Sequence, residues 1–490
     1  MKEKIKFLME KGYFLDPEII DCLDESTFNL IDKYLEPKDG IVLNKNLINE
    51  LKSKYLSKSE IISKNENILD DDIKIIKNYE DSMKKIEVSD FVEHYKLRYH
   101  FLSKVLQSRL ELSDVISISR TFSKMERDRV SLIGIVYNKQ ITKNGNIILE
   151  IEDLTGSMKI LINNNKQEMF EKAKDIVMDE IIGIVGNMGN KIVFANDLFF
   201  PEITINGSEM KKSVNEDHIA FISDIHVGSK MFLEEEFVKF IKWLNGESGS
   251  SEQKKIAKSV KYLVIAGDII DGIGIYPGQN EELNILDIKG QYDKCAELFG
   301  NIRKDIKIII SPGNHDSIRL AEPQPIFDEK LAEELYKMPN ITLVTNPSVI
   351  NVGSYEGFSG FDVLIYHGFS FDYYIDQIES IRFGGGYDRG DLVMKFLLQK
   401  RHLAPSHTST LFVVDPKRDD LIIDTIPDFF ISGHLHKSSI SHYGKTTMVS
   451  GSCWQSRTAF QDKVGHHPEP CRVPIVNLKT RDVKLMKFCE

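Results

Sequence analysis

Five apolar runs in the second half of the chain each stop at a cluster of polar side chains, and no other feature of the sequence constrains its fold as strongly. The runs are IAFIS before Asp224 and His226, YLVIAG before Asp268 and Asp271, KIIISPG before Asn314, His315 and Asp316, VLIY before His367, and DFFISG before His434 and His436. Short apolar runs without polar alternation fit strands buried on both faces, as in a layered α/β domain. In such a sheet the ligand crevice lies beyond the strand ends, so groups distant in sequence can share one site.

The residue types say what that site would hold. Imidazoles, carboxylates and an amide, with no thiolate, suit divalent Mn, Fe, Zn or Mg. In Asp-x-His and His-x-His, alternate residues of an extended strand end project to one side, toward a common pocket. One Asp or His at a strand end is ordinarily a cap or a satisfied polar group. Five such clusters together would bury many ionisable groups at great cost unless cations neutralise them.

At 490 residues the chain exceeds one ordinary core, and two or three domains are expected. Residues 1–65 pattern as a small helical domain, and the polar stretch 66–90 as a flexible linker. A helical connector is expected over 91–125, where Phe91, Tyr95, Tyr99, Leu102, Leu106 and Leu110 recur at helical spacing. Over 126–212 the period changes to short strands broken by Asn144-Gly145, Thr155-Gly156 and Gly189-Asn190, with one helical stretch at 166–174, which matches an OB barrel. The remainder, 215–490, is the layered α/β domain. The fold class is thus multidomain α+β.

A net charge of −11 argues against attraction of the whole surface to nucleic acid, so any such site must be locally basic. Between Tyr95 and Gly145 ten Lys or Arg stand against four Asp or Glu, either a basic patch or a solvated helix face. No run approaches the roughly 18 apolar residues of a membrane span, and the five scattered cysteines form no CxxC pair; both suit a cytoplasmic protein without membrane partners.

The order Asp224-x-His226, Gly267-Asp268, Gly313-Asn314-His315-Asp316, His367, Gly433-His434-x-His436 resembles the calcineurin-like metallophosphoesterase superfamily. The resemblance implies an α/β sandwich holding two divalent metal ions, manganese foremost. Asp268 would bridge them, one ion also taking Asp224, His226 and His436 and the other Asn314, His367 and His434. It further implies His315 as the catalytic group at the leaving oxygen, with Asp271 orienting its imidazole.

Four segments, FISDIHVGS at 221–229, GIYPGQ at 274–279, GNHD at 313–316 and GSCWQSRTAFQ at 451–461, resemble the small subunits of archaeal family D DNA polymerases. The OB domain preceding the phosphoesterase has the same order. What this implies is a 3′→5′ proofreading exonuclease acting on single-stranded or frayed 3′ DNA ends, in a heterodimer with a large catalytic polymerase subunit. Contact with a sliding clamp or other replisome proteins is a further expectation. Two other readings stand beside it: a phosphoprotein or small-molecule phosphatase on the same metals, and a scaffold subunit without chemistry. The aromatic and basic residues around FDYY at 371–374, Arg382 and Arg389 are either channel-lining groups or core aromatics and surface ion pairs, and the triple glycine 384–386 is a weak sign of backbone approach to a ligand.

Overall fold

The computed structural model describes residues 13–15, 41–43, 73–80, 85–202 and 209–489. Residues 1–72 and 73–490 are separate units. In the first, strands β1 (Tyr13–Leu15) and β2 (Ile41–Leu43) pair in parallel. The helices expected over 1–65 otherwise fall outside the described residues.

The second unit begins inside the stretch expected as linker. Strand β3 (Ile73–Lys77) lies antiparallel to β13 (Ser348–Val352) at the edge of a sheet. Burial of Ile73 against that sheet's inner face explains why so polar a segment is held.

Helix Val88–Gln107 follows, with two buried faces of different character. Leu102 and Leu106 pack with Leu112, Ile133, Ile181 and Val185 on a barrel. One turn earlier, His94 and Arg98 are buried against residues 402–419.

The barrel comprises β4 (Arg129–Ile141), β5 (Ile147–Asp153), β6 (Gly156–Ile162), β7 (Ile181–Met188) and β8 (Ile192–Phe199), closed in the order β4-β5-β6-β8-β7. Helix Gln167–Lys174 lies between β6 and β7 and adds Met169 and Ala173 to the barrel core. Five strands closed in this order, with that helix inserted, make an OB fold.

The remaining strands form two packed six-stranded sheets. One contains β9 (His218–Ile222), β10 (Val260–Ala266), β11 (Lys307–Ser311), β12 (Ile341–Leu343), β18 (Arg472–Asn477) and β19 (Val483–Lys487). The other contains β3, β13, β14 (Phe361–Ile365), β15 (Phe429–Ser432), β16 (Ser439–Tyr443) and β17 (Thr446–Ser450). Their facing sides share one core, in which Phe221, Tyr262, Val264 and Ile309 meet Ile350, Val363, Phe429 and Val449. Helices Glu234–Leu244 and Ile288–Gly300 cover the first sheet, and Phe371–Gln377 and Gly390–Lys400 the second. Because β9, β10 and β11 are mutually parallel, as are β14 and β15, each group ends at one edge of its sheet. The polar clusters occupy those ends.

Candidate metal centre

The seven residues expected as ligands, drawn from five strand ends, lie together in the structure. Nε2 of His226 is 3.0 Å from Nε2 of His436, which is 3.4 Å from Oδ1 of Asp224. Nε2 of His367 is 3.2 Å from Oδ2 of Asp268 and 3.0 Å from Oδ1 of Asn314, and Nδ1 of His434 is 3.1 Å from that same amide oxygen. Asp268 lies between the two groups, 4.0 Å from His226 Nε2 on its other side. The trios Asp224, His226, His436 and Asp224, Asp268, His367 each have the spacing and donor atoms to hold a metal ion.

The backbone achieves this differently from the alternation of an extended strand. Asp224, His226, Asp268, His434 and His436 all adopt positive φ, between 52° and 72°. Side chains two apart therefore converge through left-handed turns just past the strands. Hydrogen bonds hold the turns to one another: the Ile225 and His226 amides donate to the Asp268 carbonyl, and the His434 amide to the Asp224 carboxylate. A Cβ on Gly313 would lie 2.2 Å from Asp268 Oδ1 and one on Gly433 2.6 Å from Asp224 Oδ2, so both glycines are required by close approach.

The donors are oriented by a second ring of groups. Asp316 receives the amides of Asp268, Ile270 and Gly313 and so fixes the loop that carries Asp268. His367 Nδ1 donates to the Ala266 carbonyl at 2.8 Å. His434 Nε2 is 2.9 Å from Asp372, and the Gln461 amide is 2.9 Å from His436 Nδ1. Such partners set ring orientation and basicity in metal sites.

Electrostatically the pocket demands positive charge. Burial would raise Asp268, but the imidazoles of His367, His315 and His226 hold it well below the usual carboxylate range. Burial would lower His367, yet Asp268 and Asp224 lift it to about 10. A divalent cation supplies that charge while turning the facing ring nitrogens into ligands, so the donor set fits the metals it implies.

His315 and Asp271 are arranged otherwise than a carboxylate–imidazole dyad. His315 Nδ1 lies 2.8 Å from the main-chain carbonyl of Asp271. The Asp271 carboxylate is instead 3.1 Å from His226 Nδ1 and receives hydrogen bonds from Gln279 and Gln455. Burial lowers the pKa of His315.

Of the segment FDYY, Phe371 and Tyr374 are core residues, and Arg389 pairs with Asp391 through two hydrogen bonds. Asp372 was not singled out by sequence reasoning, and neither were Gln279, Gln455 and Gln461. The three glutamines lie within segments that carry the family resemblance, and Asp372 lies in FDYY, of which only the aromatic residues had been considered. The basic stretch 95–145 is partly interior: Arg98 is buried on Asp419 at 2.7 Å, and Lys139 donates to the Ile176 carbonyl. Among the described residues no helix is long and apolar enough to cross a membrane.

The profile of the calcineurin-like phosphoesterase family matches residues 218–438. The DNA polymerase II small subunit of Methanothermobacter thermautotrophicus is 42% identical over 403 residues, 82% of this chain and 80% of its own. That of Archaeoglobus fulgidus is 35% identical over 484 residues, 96% of this chain and 94% of its own. The Halobacterium salinarum small subunit is 35% identical over 406 residues, covering 82% and 75% respectively. With its barrel, its phosphoesterase sandwich and its clustered His and Asp side chains, this chain belongs to the DNA polymerase II small subunit family of the archaeal family D enzymes.

Proposed function

We propose that this chain is the 3′→5′ proofreading exonuclease subunit of a heteromeric DNA polymerase, hydrolysing DNA phosphodiesters at single-stranded or frayed 3′ ends. The observation that carries the reading is the convergence of seven nitrogen and oxygen donors from five strand ends, with His315 beside them. Asp224, His226 and His436 would hold one divalent ion, Asn314, His367 and His434 the other, and Asp268 both. When bound, the two ions neutralise phosphate charge and lower the pKa of a water molecule.

The chain's own residues do the rest. Asp316 holds the loop that carries Asp268, and Gly313 leaves room for its carboxylate between the two donor groups. His315, whose Nδ1–H is taken by the Asp271 carbonyl, presents Nε2 to exchange a proton with the leaving 3′ oxygen. Asp271 serves the reaction by orienting His226.

The second part of the reading is a scaffold for a large polymerase subunit. The relatives' description as small subunits supports it, as do Val88, Leu110, Phe122 and Met125, all exposed on and after the helix that joins the barrel to the phosphoesterase. The linked domains offer more than one surface for assembly.

The test is incubation of the full chain with Mn and a 3′-mismatched primer–template labelled at the primer 5′ end, with and without chelator. A metal-dependent ladder shortening from the 3′ end is expected, and Asp268→Asn should abolish it. Absence of cleavage, even with the large subunit added, overturns the exonuclease. Hydrolysis of a chromogenic phosphomonoester with none of DNA would make the site a phosphatase.

A further inference from the structure

A cleft of about 390 Å³ opens beside the metal centre, and the reaction as described leaves it without a role. Its floor includes Leu435, the residue between His434 and His436. Its lining also includes Tyr387, which lies near the Asp372 carboxylate that pairs with His434. Leu435 and Lys437 flank the expected ligand His436, so the cleft adjoins the segment that carries His434 and His436.

The size admits one small ligand and excludes a duplex, falling within the roughly 300–1,000 Å³ of small-molecule pockets. Rings line it: Tyr387 and His466 lie with centroids 4.2 Å apart, inclined at 45°. Gly385, with φ of 131°, and Gly386 bring bare main chain to the same space, which is what the triple glycine achieves here. The charge is balanced. Arg382 and Lys437 face Asp376 and Asp388, and Lys437 is already paired with Asp388 at 2.7 Å. A phosphate pocket would keep its cations uncompensated; a pocket with rings, donors and acceptors in equal supply suits a flat, neutral, polar heterocycle.

We infer that this cleft receives the terminal nucleoside of the strand being cut, its base stacked on Tyr387, and that it admits that nucleoside only when unpaired. The inference rests on the phosphodiesterase reading above and gives it a source of selectivity. A cleft of one-nucleoside size forces the terminal base out of its pair, which costs least at a mismatch. Stacking on an aromatic side chain then returns part of that cost, in a manner tolerant of base identity.

Equilibrium binding tests this apart from catalysis. The full chain, in chelator, is titrated with a single-stranded oligonucleotide ending in 2-aminopurine at its 3′ terminus, and with the same strand ending in an abasic residue. In the wild type the terminal fluorophore should be quenched, and loss of the base should weaken binding by roughly 5- to 150-fold, the span of one stacked base. Tyr387→Ala should abolish the quenching and bring the two strands within about twofold of each other, whereas Tyr387→Phe should retain the base preference. Unquenched fluorescence in the wild type, or an undiminished base preference in Tyr387→Ala, overturns the cleft as the nucleoside site. Hydrolysis of bis(p-nitrophenyl) phosphate by the wild-type chain with Mn is the separate measure of the phosphodiesterase. If it fails while the base preference is seen, the reaction is wrong and the cleft stands.

Discussion

Acid should unfold this protein in part through one histidine far from the metals. His402 is fully buried in a cluster where helix Val88–Gln107 meets the phosphoesterase: its Nε2 is 3.0 Å from Asp419, which also takes Arg98 at 2.7 Å and lies 3.3 Å from His94. Its other nitrogen, Nδ1, accepts the Ala404 amide at 3.0 Å. The neutral ring with its proton on Nε2 satisfies both contacts, whereas a proton on Nδ1 would face an N–H. Burial, and then the Arg98 guanidinium, accordingly push the pKa from the usual 6.5 to about 4. Between those values the unfolded chain binds a proton that the folded one refuses, so this contribution is whole above pH 6.5 and lost as pH falls toward 4. At about 1.4 kcal/mol per pH unit, the loss reaches roughly 3 kcal/mol. His402→Gln offers Asp419 an amide N–H and Ala404 a carbonyl without titrating. Urea unfolding can be followed by the fluorescence of Trp243 and Trp454, both buried in the phosphoesterase core. The stability difference between wild type and variant should slope by about 1.4 kcal/mol per pH unit across that window, other carboxylates cancelling. Parallel curves would refute the reasoning.

Three further outcomes follow from buried charge and from the ring of groups around the centre. Asp419→Ala strands the Arg98 guanidinium in the interior and should cost about 3–5 kcal/mol, read as a lowered urea midpoint. Lys400 and Glu180, both buried and 2.7 Å apart, join the barrel to helix Gly390–Lys400; Lys400→Met alone should destabilise by about as much, and Glu180→Gln added to it should recover most of the loss in a double-mutant cycle. Asp372→Asn removes the carboxylate behind His434 and should weaken manganese binding by about 10- to 100-fold, measured by titration calorimetry.

The sandwich was legible because burial on both faces leaves its mark in composition. Strands β9 and β15 have every residue buried and β10 all but Lys261, and each reads as an uninterrupted or nearly uninterrupted apolar run ending at a ligand-type residue. The barrel announced itself through alternation and turn glycines. Strand β3 did not: three of its five residues are exposed, and only Ile73 ties it to the core, so its sequence is that of a polar edge. The basic stretch misled for a related reason. Composition counts Arg98 and Lys139 as surface charge, whereas the fold places one against a buried carboxylate and the other against main-chain carbonyls. The partner of Arg98, Asp419, lies 321 positions away and that of Lys139, Ile176, 37, and no local pattern announces either.

The centre was legible in its residue types and illegible in its backbone. Left-handed φ at a non-glycine residue costs energy, of order 1–3 kcal/mol at each such position, and is kept only where surrounding structure dictates it. Here the dictating contacts are mutual: the Asp224 turn leans on the Asp268 carbonyl, the His434 turn on the Asp224 carboxylate, and the Asp268 turn on Asp316. Each loop is held by another loop's ligand residue or its neighbour, so the pocket is built as one unit rather than assembled ligand by ligand. Glycine precedes Asp268, Asn314 and His434 because the crossing chains leave no room for a Cβ, as the clash distances at Gly313 and Gly433 indicate. The same closeness bears on why Asp271 departs from the dyad that the family resemblance implied. With His226 in its left-handed turn, its Nδ1 lies 3.1 Å from the Asp271 carboxylate, while His315 Nδ1 lies 2.8 Å from the main-chain carbonyl of that same residue.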